Sequence, residues 1–162
     1  MPPDLLALRS TKSGPPRTHN ADKASRRFAR SPESKKTLSQ LANHGVQLLL
    51  LSNSCLHHDE VRQRVKKLGL SDYFDSVLST FDLGKRFGNE DCFRLAIQRL
   101  QRDPQEVGYV GRDTLALAEA STIGMFTVAF NNDNDAEADA YISSFNELPD
   151  VLPLRQTRII SN

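Results

Sequence analysis

Residues Val46 to Ser54 read VQLLLLSNS, an apolar run that ends abruptly in hydroxyls and an amide. Leu48 to Leu51 follow one another without a polar break and without helical periodicity. Bounded by Gly45 on one side and Ser52-Asn53-Ser54 on the other, they predict a strand over 46–51 that is covered on both faces. Downstream the pattern alternates between short apolar runs and helical spacing. Val61, Val65 and Leu68 share one side of a charged helix over 59–68, which Gly69 ends. Asp75 to Ser79 forms a second strand. Phe93, Ala96, Ile97 and Leu100 fall at i, i+3, i+4 and i+7 and predict a helix over 89–100. Val107 to Val110, closed by Gly111, is a third strand. A small-residue helix over 115–123 ends at Gly124, and Met125 to Phe130 is a fourth strand.

The flanks are less regular. Ser31 suits a helix N-cap with Pro32 behind it, starting a helix that runs through Leu38, Leu41 and Ala42 to Gly45. Further upstream only residues 4–8, around Leu5 to Leu8, read as a short strand. Ala21 to Arg30 carries at most a helical turn or two. At the other end, 141–145 is a short edge strand and 147–152 a turn or short helix. Strands alternating with helices predict an α/β fold: a three-layer sandwich with a mostly parallel, Rossmann-like sheet and right-handed connections. The division expected is a basic, proline-containing segment 1–30, a core 31–152 and a tail 153–162.

Composition narrows the function classes. The chain has 162 residues, 38% hydrophobic and 25% charged, enough for one domain with a sizeable core. Its net charge is +1, so no global field argues for nucleic acid or an anionic membrane. The balance is uneven: residues 1–36 hold nine Lys/Arg against three Asp/Glu, the remainder twelve against seventeen. No apolar run approaches the roughly 18 residues of a membrane span. Cys55 and Cys92 make neither a CxxC nor a metal spacing, which fits a reducing compartment, and a cytoplasmic location is expected.

The strand 46–51 delivers Ser52 and Asn53 to the carboxyl edge of the sheet, where open parallel sheets bind ligands. The order of landmarks around it resembles the haloacid dehalogenase-like (HAD-like) hydrolase superfamily, in its small phosphatase branch without a large cap. VQLLLLSN resembles the family's second motif, with Ser52 in the phosphate-binding position. Residues 68–80 (LGLSDYFDSVLST), 91–113 (DCFRLAIQRLQRDPQEVGYVGRD) and 121–132 (STIGMFTVAFNN) resemble the segments that follow, in register.

The resemblance implies phosphoryl transfer through an aspartyl-phosphate, with a first Asp as nucleophile and a second, two residues on, as general acid and base. It also implies a Mg²⁺ ion and a phosphate held by a hydroxyl and a Lys. Against that pattern the sequence departs at several points. No Asp-x-Asp precedes Ser52, and Arg9 and Thr11 stand where the two carboxylates belong. Arginine stays cationic and is no nucleophile. The family lysine falls at Phe87, with Lys85 close enough to substitute through a shifted loop or else to be a solvated lysine. The acidic motif reads Gly111-Arg112-Asp113, which leaves Asp113 one place late as a metal ligand.

Two readings follow. One is a phosphatase-type enzyme, impaired or supplied with its missing groups from another chain or from sequence ahead of Met1. The other is a non-catalytic binder of a small phosphorylated molecule, using Ser52, Asn53, Lys85, Arg9 and Arg112; the balance of residues favours lost catalysis. Outside this frame, Cys55, His57, His58, Asp59 and Glu60 crowd after the strand. A helix start explains the two acids without a metal. Asp133, Asp135 and Glu137 read as a solvated loop. The oligomeric state is left open.

Overall fold

The computed structural model describes residues 32–53, 55–85, 89–130 and 136–153, together with the backbone of residues 5–10. Among the described residues one sheet of six strands forms the middle layer. Its strands are β1 (Leu5–Ser10), β2 (Gln47–Ser52), β3 (Ser76–Ser79), β4 (Val107–Gly111), β5 (Phe126–Phe130) and β6 (Ala140–Ile142). Their order is β3-β2-β1-β4-β5-β6, and every pairing is parallel. The helices are α1 (Pro32–Asn43), α2 (His58–Lys67), α3 (Thr80–Leu83), α4 (Glu90–Leu100), α5 (Thr114–Thr122) and α6 (Leu148–Val151).

The leucine run explains the layering. Side chains alternate across a strand, so Leu49 and Leu51 enter one core with Phe93, Ile97, Tyr109 and Leu117 from the α4 and α5 side. Leu48 and Leu50 enter the other, with Leu38, Leu41, Val61 and Val65 of α1 and α2 and with Phe145 and Leu148. Four consecutive leucines are needed because neither face meets water. Fully burying each contributes about 1.5–3 kcal/mol.

Several boundaries differ from the sequence expectation, each for a local reason. The first strand runs Leu5–Ser10 rather than 4–8, and it is central, between β2 and β4. Arg9 therefore stands inside the strand instead of beyond its end. The strand predicted over 46–51 is shifted by one and takes in Ser52, which pairs with Ser79 and Ser10. Asp75 lies before β3, where its carboxylate accepts the Leu48 N–H at 2.9 Å. The helix expected over 115–123 begins at Thr114, since the Asp113 side chain caps it. The edge strand expected over 141–145 is only Ala140–Ile142, and Phe145 leaves it to bury its ring in a 3₁₀ turn. The four-residue α3 and the 3₁₀ turns at 71–73 and 104–106 are too short to leave a periodic signature.

Candidate functional site

In a sheet of this order the neighbours of β1 are reached in opposite directions, so a crevice opens at the carboxyl edge beside it. Register fixes what stands there. Ser10 pairs with Ser52, and Ser52 with Ser79. Leu8 pairs with Val110, placing Arg9 one residue beyond that pair on one strand and Gly111-Arg112-Asp113 beyond it on the other. Arg9, Ser52 and the Gly111–Asp113 turn are thus brought to one edge. The sequence of β1, LLALRS, holds no carboxylate.

Ser52 and Asn53 are both buried at the end of β2. The Asn53 side-chain oxygen accepts from the Thr80 hydroxyl at 3.5 Å. Arg112 is exposed and Asp113 half-buried. The Asp113 carboxylate accepts the Ala116 N–H at 3.0 Å, which satisfies one of the open donors in the first turn of α5. Gly111 is shaped by its own strand: the ring of Tyr109 lies against it, and a Cβ there would meet the phenol oxygen at 2.3 Å.

Lys85 pairs with Asp91 in the first turn of α4, Nζ to Oδ2 at 2.9 Å, with both side chains about half exposed. The hydrogen bond to Asp91, then its charge, holds the Lys85 ammonium above its ordinary value. Thr11 and Phe87 lie outside the described residues, as do Asp133 and Asp135; Arg9 is placed by its backbone alone. Glu137 is exposed.

The crowded stretch after β2 resolves into a hydrogen-bonded cluster around a residue the sequence did not single out. Asp82 of α3 accepts from the backbone N–H of His58 at 2.6 Å. Its two oxygens also lie 2.5 Å from His57 Nδ1 and 2.9 Å from His58 Nδ1. Burial pushes the Asp82 carboxyl up, but the His58 amide, the two imidazoles and the charge of His57 outweigh it and hold the group below its ordinary value. Glu60 accepts the His57 N–H at 3.2 Å, completing the helix start. Cys55 is exposed and Cys92 buried. Only the adjacency of β2 and β3 brings residues 25 positions apart together, so no local motif announces Asp82.

The profile of the haloacid dehalogenase-like hydrolases matches residues 15–130, well over half of the chain. The chain belongs to that family. Among its relatives, the ribulose-1,5-bisphosphate 5-phosphatase of Halopiger xanaduensis is 32% identical over 108 residues, spanning 66% of this chain and 44% of that protein. The glyceraldehyde 3-phosphate phosphatase of Methanocaldococcus jannaschii is 26% identical over 75% of this chain and 55% of its own length. The chain thus spans about half the length of the curated relatives it matches. Among solved structures, a HAD phosphatase from Thermococcus onnurineus superposes with a TM-score of 0.66 at 27% identity, covering 80% of this chain and 63% of that one. The 2-haloacid dehalogenase of Pseudomonas syringae pv. Tomato gives 0.64 at 28% identity, covering 81% and 59%.

Phosphatases of this family generally use Mg²⁺. Mg²⁺ demands near-octahedral oxygen ligation and is held by one or two carboxylates besides water and phosphate. Among the described residues no three His, Cys, Asp or Glu side chains come together as a metal group. Asp113, the acid nearest the crevice in sequence, is engaged as a helix cap beside the Arg112 cation. Near the Gly111–Asp113 turn the described residues thus offer the ion the Asp113 carboxylate, one oxygen of which is already hydrogen-bonded.

Proposed function

We propose that this chain holds the phosphate of a small phosphorylated molecule at the carboxyl edge of β1, β2 and β4 without hydrolysing it through an aspartyl-phosphate. One observation carries the reading: the central strand of the sheet, whose end would have to present the nucleophile, is LLALRS, with Arg9 where a carboxylate is required. An arginine there trades a Mg²⁺-dependent arrangement for one that attracts phosphate directly, since guanidinium and phosphate match in geometry and charge. Ser52, Asn53 and the Arg112 side chain supply hydroxyl, amide and a second cation; Lys85, paired with Asp91, stands in reserve. Mg²⁺ has no part in this reading. With a net charge of +1 the chain offers no broad field for nucleic acid or membrane, and its thiols suit the cytoplasm.

The second reading, an active phosphomonoesterase, is favoured by the likeness to two phosphatases. Two measurements on the purified chain separate the readings. Inorganic phosphate titrated in the presence of EDTA, followed by NMR, is expected to bind with unchanged affinity when Mg²⁺ is restored. Arg112→Ala is expected to weaken it about tenfold, the worth of one charged hydrogen bond. Mg²⁺-dependent hydrolysis of an aryl phosphate that disappears in Ser52→Ala would overturn the binding-only reading.

A further inference from the structure

Two loops leave the carboxyl edge side by side: the one that follows Asn53 into α2, and the one from Ser79 through α3. They are fastened at several points. The Ser79 hydroxyl donates to the Leu56 carbonyl at 2.5 Å and accepts the Phe81 N–H at 3.2 Å. The Thr80 hydroxyl donates to Asn53. The His57 ring meets the Phe81 ring edge-on, with centroids 4.6 Å apart. At the outer end Asp82 takes the His58 amide and both imidazoles. Asp82 gathers three donors from two adjacent residues of the facing loop, more than any other group in the set. We infer that Asp82 is a positioning residue for the phosphate site, fixing through His57 and His58 the turn that follows Ser52 and Asn53.

This rests on the proposed function for its consequence, though not for its geometry. Asp82 does not belong to the crevice itself; its oxygens are occupied by the loop it holds. Asp59 lies 3.4 Å from the far nitrogen of His58, so that imidazole is flanked by carboxylates on both sides. Arg99 of α4 lines the same groove of about 550 Å³ as His58, Ser79 and Asp82. Holding a binding turn in its bound shape before the ligand arrives removes an ordering cost from association. Losing one such tether is expected to weaken binding by roughly fivefold, which is the scale of one or two immobilised side chains.

The test uses the full chain and inorganic phosphate as probe. Asp82→Asn keeps the size of the side chain and removes its charge. It is expected to weaken phosphate about fivefold and to speed amide exchange at Asn53 and Leu56, with no change at the Asp113 turn. His57→Ala is expected to do the same, while His57→Asn, whose amide nitrogen takes the place of Nδ1, retains wild-type affinity. A merely structural role would not separate the two His57 variants. Unchanged phosphate affinity in Asp82→Asn, or equal loss in both His57 variants, overturns the assignment. Should the wild-type chain bind no phosphate, the proposed function fails instead; the tether is then judged by exchange alone, and protection at Asn53 and Leu56 unaltered by Asp82→Asn refutes it.

Discussion

The ring of Tyr109 lies against the backbone of Gly111, two residues further along the same strand. A Cβ built on Gly111 would stand 2.3 Å from the phenol oxygen, 2.6 Å from Cζ and 2.8 Å from Cε1. No real Cβ tolerates such distances, and the ring has little room to retreat. It is fully buried and packed edge-on against Phe93 with centroids 4.9 Å apart. Gly111→Ala is therefore expected to destabilise the protein by about 1–3 kcal/mol through overpacking, read as a lower midpoint in urea. Tyr109→Phe should not rescue it, because the two ring carbons remain. A Gly111→Ala protein with the wild-type midpoint would mean that the ring swings aside, and that close approach does not explain the glycine.

The tether at Asp82 has a pH signature whose sign follows from its donors. Its carboxyl is held below the ordinary value of 3.8: burial opposes ionisation, and the hydrogen bonds from His58 and His57 more than offset it. A group depressed on folding contributes stability above its ordinary value and loses it as pH falls through the lowered one. Stability should therefore fall below about pH 4 more steeply in the wild type than in Asp82→Asn, where no proton is taken up at this position. Parallel curves for the two proteins between pH 5 and pH 2 would refute a depressed Asp82. Lys85 works in the opposite direction. Raised by Asp91, it contributes below its ordinary value of 10.5 and is lost as pH climbs through the raised one.

The two cysteines should report the packing of α4 by their reactivity. Cys55 is exposed, whereas Cys92 has no accessible surface in the core beside Phe93 and Leu51. Burial first, and the neighbouring Asp91 carboxylate second, push the Cys92 thiol above its ordinary value. Thiolate is the reacting form, so Cys92 is protected twice, by access and by protonation. A disulfide reagent at pH 8 should titrate one thiol rapidly and a second only on addition of denaturant. Cys55→Ser should abolish the fast phase. Two fast thiols in the native protein would mean that α4 opens readily.

What could be read from residues alone, and what could not, divides along the range of the interactions involved. Leu48 to Leu51 declare a doubly covered strand because every one of their side chains meets a core, and no neighbour in sequence is needed to see it. Phe93, Ala96, Ile97 and Leu100 show a helix in the same way. Position within the sheet carries no such local mark. Nothing in LLALRS says that it lies between β2 and β4, the placement on which the proposed role of Arg9 rests. Asp82 carries no local mark because its partners are 24 and 25 residues away. Asp113 is conspicuous as an acid near a strand end, yet its engagement with Ala116 depends on where α5 starts, one residue earlier than the apolar pattern suggests.

That engagement gives a direct way to separate a structural acid from a metal-binding one. Asp113 accepts the Ala116 N–H at 3.0 Å as the N-cap of α5, a helix whose buried face is built from Ala116, Leu117 and Ala120. Replacing a capping Asp with Ala costs typically about 1 kcal/mol, and Asn is as good a cap as Asp. Asp113→Ala should accordingly lower stability by about that amount, while Asp113→Asn should leave it nearly unchanged. A metal ligand predicts a different pattern: Asn supplies a weaker, neutral oxygen, so both variants would erase any stabilisation that added Mg²⁺ confers on the wild type. The thermal midpoint of the three proteins, measured with EDTA and with millimolar Mg²⁺, resolves the matter. The expected result is a midpoint insensitive to Mg²⁺ throughout and a drop confined to Asp113→Ala. A Mg²⁺-dependent rise in the wild type that both substitutions remove would return Asp113 to the role of ligand, and would require a second acidic partner beyond the described residues to complete the site.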